Sequence, residues 1–472
     1  MLLAASFIMK RRFLRLKQIL EQMKATGALM GEQKCSEKEK YRRSYLVKEV
    51  PVDDALLLYH TLSGEMLLMS QEEISIAENN EPGEIRQKLI QKWFLVPLAF
   101  DEKKYVDQIR TVFGLMEKKP AYINYFDIFT TMDCNARCFY CFEKGRPRTP
   151  MSDETARDVA KYIQKVSKEK QVKINWFGGE PLYNLRVIDI ITTELKKTGT
   201  VFSSNMISNG YLFDENIVKK AKEEWKLQRV QITLDGTENV YNKTKAFIYA
   251  DASPYQKVIR NIRLLLDAGL RVRIRLNMHR GNVQDLNALA DELYARFPGE
   301  KNLAVYVALL RDDFGNVFTL EEKDALEAYR VLNRKLLDLG LRRPSMLERN
   351  LRMNYCMADS DSSVTVLTDG RLGICENITE DEIAGSIYSD EKNEQVIASW
   401  RSKIDPIDEC NTCAYYPLCN FLKKCPYIHN SCTELDRQTR LDDLKERIYT
   451  TYRQAINDSE NEHFVIDDVE KC

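Results

Sequence analysis

Histidine is nearly missing from this chain: 472 residues hold 4 His against 12 Cys. Any large metal inventory must therefore be held by thiolates. That favours iron–sulfur chemistry and leaves all-cysteine zinc as the alternative. Charge of one sign is missing too. Lys+Arg number 70 and Asp+Glu 71, a net charge of -1, so there is no bulk attraction to nucleic acid or anionic membrane. No apolar run is long enough to span a bilayer. The opening segment MLLAASFIMKRRFLRLKQIL carries its positive charges after a short apolar run, and no small-residue cleavage site follows. We expect a cytoplasmic protein without a membrane span or a nucleic-acid partner.

What is present is core-forming: 44% of residues are hydrophobic, enough for several domains. Residues 1–41 are basic with a helical pattern, and residues 42–119 hold short apolar runs with helix-like stretches, a small α+β module. Residues 120–310 alternate strand and helix six times, with strand candidates Tyr122–Thr130, Val172–Phe177, Phe202–Ile207, Val230–Leu234, Val272–Asn277 and Leu303–Leu309. Such alternation predicts an α/β fold with a parallel sheet, either an open partial barrel or a doubly wound sheet. This region is bounded at 120–317, a bridging helix at 318–345, a cysteine-rich domain at 346–434, and a C-terminal helix with an acidic tail at 435–472. In the cysteine-rich domain ligands, rather than a core, are expected to order the chain.

Chemistry concentrates at strand ends. Cys134, Cys138 and Cys141 follow the first strand, with Tyr140 before the last cysteine. Three thiolates can wrap one small cluster and leave an iron open; zinc or a cysteine-bearing loop fits the spacing as well. Gly178-Gly179-Glu180-Pro181 follows the second strand. The glycines permit close backbone approach to a ligand, and Glu180 offers an acceptor for a cation. Ser208-Asn209-Gly210, Leu234-Asp235-Gly236 and Asn277 end the next three strands. In parallel barrels this end carries the chemistry.

Cys-x3-Cys-x-aromatic-Cys after the first strand resembles the radical S-adenosylmethionine (SAM) superfamily. The resemblance implies a [4Fe-4S] cluster on Cys134, Cys138 and Cys141 whose open iron chelates SAM. It implies cofactor contacts from Tyr140, Gly178, Gly179, Glu180, Ser208 and Asn277, and it makes Asp235 a catalytic candidate. Reductive cleavage would yield a 5′-deoxyadenosyl radical, the electron coming from a donor such as flavodoxin or ferredoxin. In one departure, Tyr241-Asn242-Lys243-Thr244-Lys245 stands where relatives often carry an Arg.

Downstream, Cys356, Cys375, Cys410, Cys413, Cys419, Cys425 and Cys432 resemble the SPASM extension of peptide- and protein-modifying radical enzymes. The resemblance implies two auxiliary [4Fe-4S] clusters. One would sit on Cys410, Cys413, Cys419 and Cys432, and one on Cys356, Cys375 and Cys425 with a ligand short. Asp359, Asp361 or a substrate group would fill that place. Residues 42–119 are similar to the winged-helix-like modules by which peptide maturases bind a leader peptide.

The expected fold is thus a partial (β/α)6 barrel with an N-terminal winged-helix-like module and a C-terminal iron–sulfur domain. The expected function is modification of a ribosomally made precursor peptide through a thioether or carbon–carbon crosslink. Two alternatives are an enzyme similar to the anaerobic sulfatase maturases, oxidising Cys or Ser to formylglycine, and a zinc-scaffolded binding protein. Cys35 and Cys472 receive no role.

Overall fold

A computed structural model describes residues 39–461, except 80–82, 117–119, 121, 169, 250–252, 311–319, 344, 348–355, 380 and 426–431. The basic N-terminal helix expected before residue 39, the acidic tail beyond residue 461, Cys35 and Cys472 lie outside the described residues.

The chain opens with β1 (Tyr41–Arg43), β2 (Val47–Val52), β3 (Ala55–His60) and β4 (Met66–Ser70). Helices α1 (Gln71–Glu78) and α2 (Glu84–Gln91), β5 (Leu95–Pro97) and α3 (Glu102–Met116) follow. Strands β2, β3 and β4 form an antiparallel sheet with β3 in the middle, and β1 pairs with β5. Ser70 starts α1 with a capping box: its side chain accepts from Glu73 N, and the Glu73 carboxylate accepts from Ser70 N. Helix α3 adds to the expected elements. Its buried Tyr105, Val106 and Ile109 lie at helical spacing, a signal that was open to sequence reading.

Next come β6 (Tyr125–Thr131), α4 (Asp153–Ser167), β7 (Val172–Gly178), α5 (Leu185–Lys197), β8 (Phe202–Ser208) and α6 (Glu215–Glu223). The series continues with β9 (Leu227–Leu234), α7 (Glu238–Lys245), α8 (Pro254–Asp267), β10 (Arg271–Met278), α9 (Val283–Arg296), β11 (Leu303–Leu309) and α10 (Glu322–Asp338). Ser152, Asp214 and Ser253 cap α4, α6 and α8 through their side-chain oxygens. Strands β6 to β11 are all parallel and lie side by side in chain order, the open-barrel arrangement expected from the alternation.

Alternate residues of each strand point opposite ways. Phe126, Ile128, Ile174, Trp176, Val230, Ile232, Ile274 and Leu276 belong to the main core and are essentially inaccessible. The other face is polar. Asp127 pairs in register with Asn175, Asn175 with Asn205, Gln231 with Arg273 and Thr233 with Arg275. From Asn205 to Arg275 this face is half-buried or exposed rather than packed into the core.

The cysteine-rich segment departs from the expectation that ligands alone order it. Strands β12 (Ser363–Val366), β13 (Arg371–Gly373), β14 (Gly385–Ser386) and β15 (Ser389–Lys392) precede α11 (Glu394–Arg401) and α12 (Glu434–Asn461). Strand β12 pairs in parallel with β6 and carries the barrel sheet on to ten strands. Val364 and Val366 anchor it in the main core. A four-residue strand is too short to show in a periodicity reading.

Candidate active site

Four backbone hydrogen bonds build the floor of the site. Beyond β6 the chain forms the cysteine loop, and Gly179 N donates to Thr131 O at 3.0 Å and Glu180 N to Asp133 O at 2.9 Å. Gly178 has φ +111, and a Cβ on either Gly178 or Gly179 would run into the backbone of Thr131 or Asp133. The close approach anticipated for these glycines is thus made to the chain's own cysteine loop. On the other side, Arg137 N donates to Lys245 O at 2.8 Å and Ile248 N to Asn135 O at 2.9 Å. Between these ties Cys134, Cys138 and Cys141 are held part-buried and free.

Glu180 is completely buried. One carboxylate oxygen accepts from Ser208 Oγ at 2.8 Å and the other from Asn209 N at 2.7 Å. Burial pushes the carboxyl up to about 7, against the pull of these hydrogen bonds. A ligand ammonium beside it would reverse that shift, which is what a built cation acceptor requires.

Across the site, Tyr140 Oη donates to Asp235 Oδ1 at 2.8 Å and accepts from Lys245 Nζ at 3.0 Å. Lys245 Nζ also pairs with Asp235 Oδ2 at 3.1 Å. Burial by itself would lower the Lys245 ammonium; Asp235, Cys138 and the two tyrosines more than offset it and hold the charge. Asn282 Nδ2 donates to Asp235 O at 2.7 Å and Asn277 O at 2.8 Å, tying the two strand ends together. The Asn277 side chain accepts from Arg275 Nε at 2.8 Å.

Sequence reasoning had not placed Lys245, Asn209, Asn282 or His279 in the site. Asn209 Nδ2 lies 3.8 Å from Cys134 Sγ, and the His279 ring stands edge-on to Phe139 at 5.4 Å. Asn209 sits inside a noticed motif and was legible. Lys245 stands in the segment where the resemblance leads one to expect an arginine. It enters from the last residue of α7, so its approach depends on how that helix packs.

The donor set suits a cluster. Burial pushes the thiol of Cys134 up to about 12 and that of Cys141 up to about 11, so their charged forms call for a cation.

The C-terminal cysteines fall into two places. Cys410, Cys413, Cys419 and Cys432 line one pocket with Tyr415, Tyr416 and Phe421. Cys375 is buried beside Ala358 and Trp400 with Cys425 against it, and Cys356 is close enough to feel Cys425. Asp359 and Asp361 are already engaged: Asp359 pairs with Lys403 at 3.0 Å, and Asp361 with Arg401 at 2.6 Å. The N-terminal module abuts the first pocket. Arg110 donates to the carbonyls of Tyr416 and Cys419, and Tyr416 Oη donates to Asp107 at 2.6 Å.

Residues 128–293 match the radical SAM superfamily. The fold is similar to that of anSMEcpe with bound AdoMet, at 17% identity and TM-score 0.54, covering 72% of this chain and 99% of that one. The complex of native anSMEcpe with AdoMet and the Cp18Cys peptide is similar too, at 18% identity and TM-score 0.53, with coverage of 72% and 100%. Among curated proteins, the GTP 3′,8-cyclase of Campylobacter curvus is 28% identical over 190 residues, 39% of this chain and 55% of that one. The chain thus spans about half the length of that curated relative. No helix among the described residues is long and apolar enough to cross a membrane. The superfamily that residues 128–293 match works with a [4Fe-4S] cluster and SAM.

Proposed function

We propose that this chain is a radical SAM peptide maturase of the SPASM type, acting on a ribosomally made precursor and forming a thioether or carbon–carbon crosslink. One observation carries the reading: the small N-terminal sheet module is docked on the wall of the four-cysteine pocket, through Arg110, Asp107 and Tyr416. A leader-binding module fixed there keeps a bound peptide near both the auxiliary thiols and the barrel. Among the described residues β4 pairs only with β3, so its outer edge is open for an added strand, and its Leu68 is 48% exposed.

Cys134, Cys138 and Cys141 would hold the SAM-binding cluster, Glu180 the methionine ammonium, and Ser208 would orient that carboxylate. When bound, cluster and SAM supply a 5′-deoxyadenosyl radical that removes hydrogen from the substrate. Asp235 is tied to Lys245 and Tyr140, and would act on a substrate as that pair opens. The ten free thiols among the described residues suit a reducing cytoplasm, and a small electron-transfer protein would serve as partner.

A nucleoside triphosphate is the second reading. The polar face of the sheet carries Arg229, Arg271 and Arg273; burial, then the neighbouring Arg273 and Arg271, disfavour the charge of Arg229. The curated relatives named GTP 3′,8-cyclase share part of this region. Mass spectrometry decides between them. Co-expression with a precursor peptide is expected to remove two hydrogens per crosslink with sulfur retained. Loss of sulfur with aldehyde formation points to formylglycine chemistry instead. Conversion of GTP in the purified, reduced enzyme, with no peptide change, would replace the peptide reading.

A further inference from the structure

The pocket of Cys410, Cys413, Cys419 and Cys432 has four thiols, but Cys356, Cys375 and Cys425 make only three. A four-iron cubane is ordinarily held by four protein ligands. Asp359 does not stand free for that place. Lys403, Asn420 Nδ2 at 3.1 Å and Cys356 N at 3.1 Å all donate to its carboxylate. Asp361 is turned toward Arg401.

Glu376 is placed differently. It follows Cys375 directly, just beyond β13, and its Oε2 lies 3.4 Å from Cys375 Sγ. Its carboxylate is also near enough to Cys356 and to Asp127 on β6 to disfavour the charged form of each. Asp127 is buried, and Asn175 Nδ2 donates to it at 2.6 Å. No Lys or Arg among the described residues pairs with Glu376. Glu376 beside Cys375, within electrostatic reach of Cys356 and of the buried Asp127, is an arrangement of acids and thiols that a positively charged metal centre would satisfy.

We propose that Glu376 is the fourth protein ligand of an auxiliary cluster held by Cys356, Cys375 and Cys425. The inference rests on the reading of this region as an iron–sulfur domain. Because an oxygen ligand is harder and more readily displaced than a thiolate, that one iron becomes the exchangeable corner of the cluster.

The test is Mössbauer and electron paramagnetic resonance spectroscopy of the anaerobically purified full chain carrying Cys138→Ala, which removes the first cluster's signal. In that background Glu376→Gln is expected to shift the spectrum of one auxiliary cluster and release about one iron per chain, while the other cluster is unchanged. Glu376→Cys should keep the iron and move the spectrum toward an all-thiolate cluster, a result that a folding defect cannot imitate. Unchanged spectra and iron content in both variants overturn the proposal. So does a shift in Asp361→Asn that is absent from Glu376→Gln. If the Cys138→Ala protein itself holds no iron, the reading of the domain falls and the ligand assignment falls with it.

Discussion

Lys245 Nζ stands 3.1 Å from Asp235 Oδ2, with 4% of one side chain and none of the other exposed. The pair joins the end of α7 to the end of β9, and Tyr140 of the cysteine loop closes the triangle. It therefore holds a cation next to Cys138 that no local feature of the sequence announces. Lys245→Met strips Asp235 of its counter-charge and is expected to cost about 3–5 kcal/mol. Urea unfolding should show the loss, and the double variant Lys245→Met/Asp235→Leu should recover most of it. Equal stability of the single variant and the parent would mean the pair is structurally idle.

Glu180 gives the site a pH dependence. Its carboxyl at about 7 lies above the ordinary 4.5, so the folded chain holds this proton more tightly than the unfolded one. The stabilisation this gives the ligand-free protein is complete below about pH 4.5 and is lost as pH rises through 7. Capture of an ammonium needs the carboxylate, so SAM affinity should run the other way. Between pH 6 and pH 8 it is expected to improve roughly tenfold. Calorimetric titration of the reconstituted enzyme checks this; Glu180→Gln should bind weakly with a flat profile.

Cys138→Ala should abolish 5′-deoxyadenosine formation and remove about four irons per chain while leaving the C-terminal irons in place. Product analysis by liquid chromatography and iron assay read the two effects separately. Continued cleavage of SAM by this variant would falsify the assignment of the three-cysteine loop.

Gly178→Ala places a methyl group against the Thr131 backbone at a φ of +111. A loss of roughly 1–3 kcal/mol is expected from the strained backbone alone. Because β7 carries the cysteine loop through Thr131 and Asp133, first-cluster iron should fall with stability. Thermal melting and iron content measured on the same sample test the coupling.

Leu68→Lys puts a charge on the open edge strand β4 without touching any cysteine. Charged edges resist strand addition. SAM cleavage without peptide should be unchanged, while peptide modification in co-expression falls at least about tenfold, in line with loss of the added strand's contacts. Equal loss of both activities would place Leu68 in the fold rather than in peptide capture.

Much of this protein was readable along the chain because the informative contacts are local. Cys134, Cys138 and Cys141 lie on one loop, so spacing alone brings them together. The six parallel strands follow from period and turn chemistry, and Ser208 and Glu180 follow from strand ends that a parallel sheet must gather on one side. What only the tertiary structure decided lies in contacts between distant segments. Lys245 reaches Tyr140 because α7 folds back over the cysteine loop, 105 residues apart in sequence. Strand β12 joins β6 because two valines find the barrel core. Lys403 pairs with Asp359 from 44 residues away, and Glu376 stands beside Cys375. Charge pairing and packing of this kind depend on distance in space, and residue spacing carries no record of it.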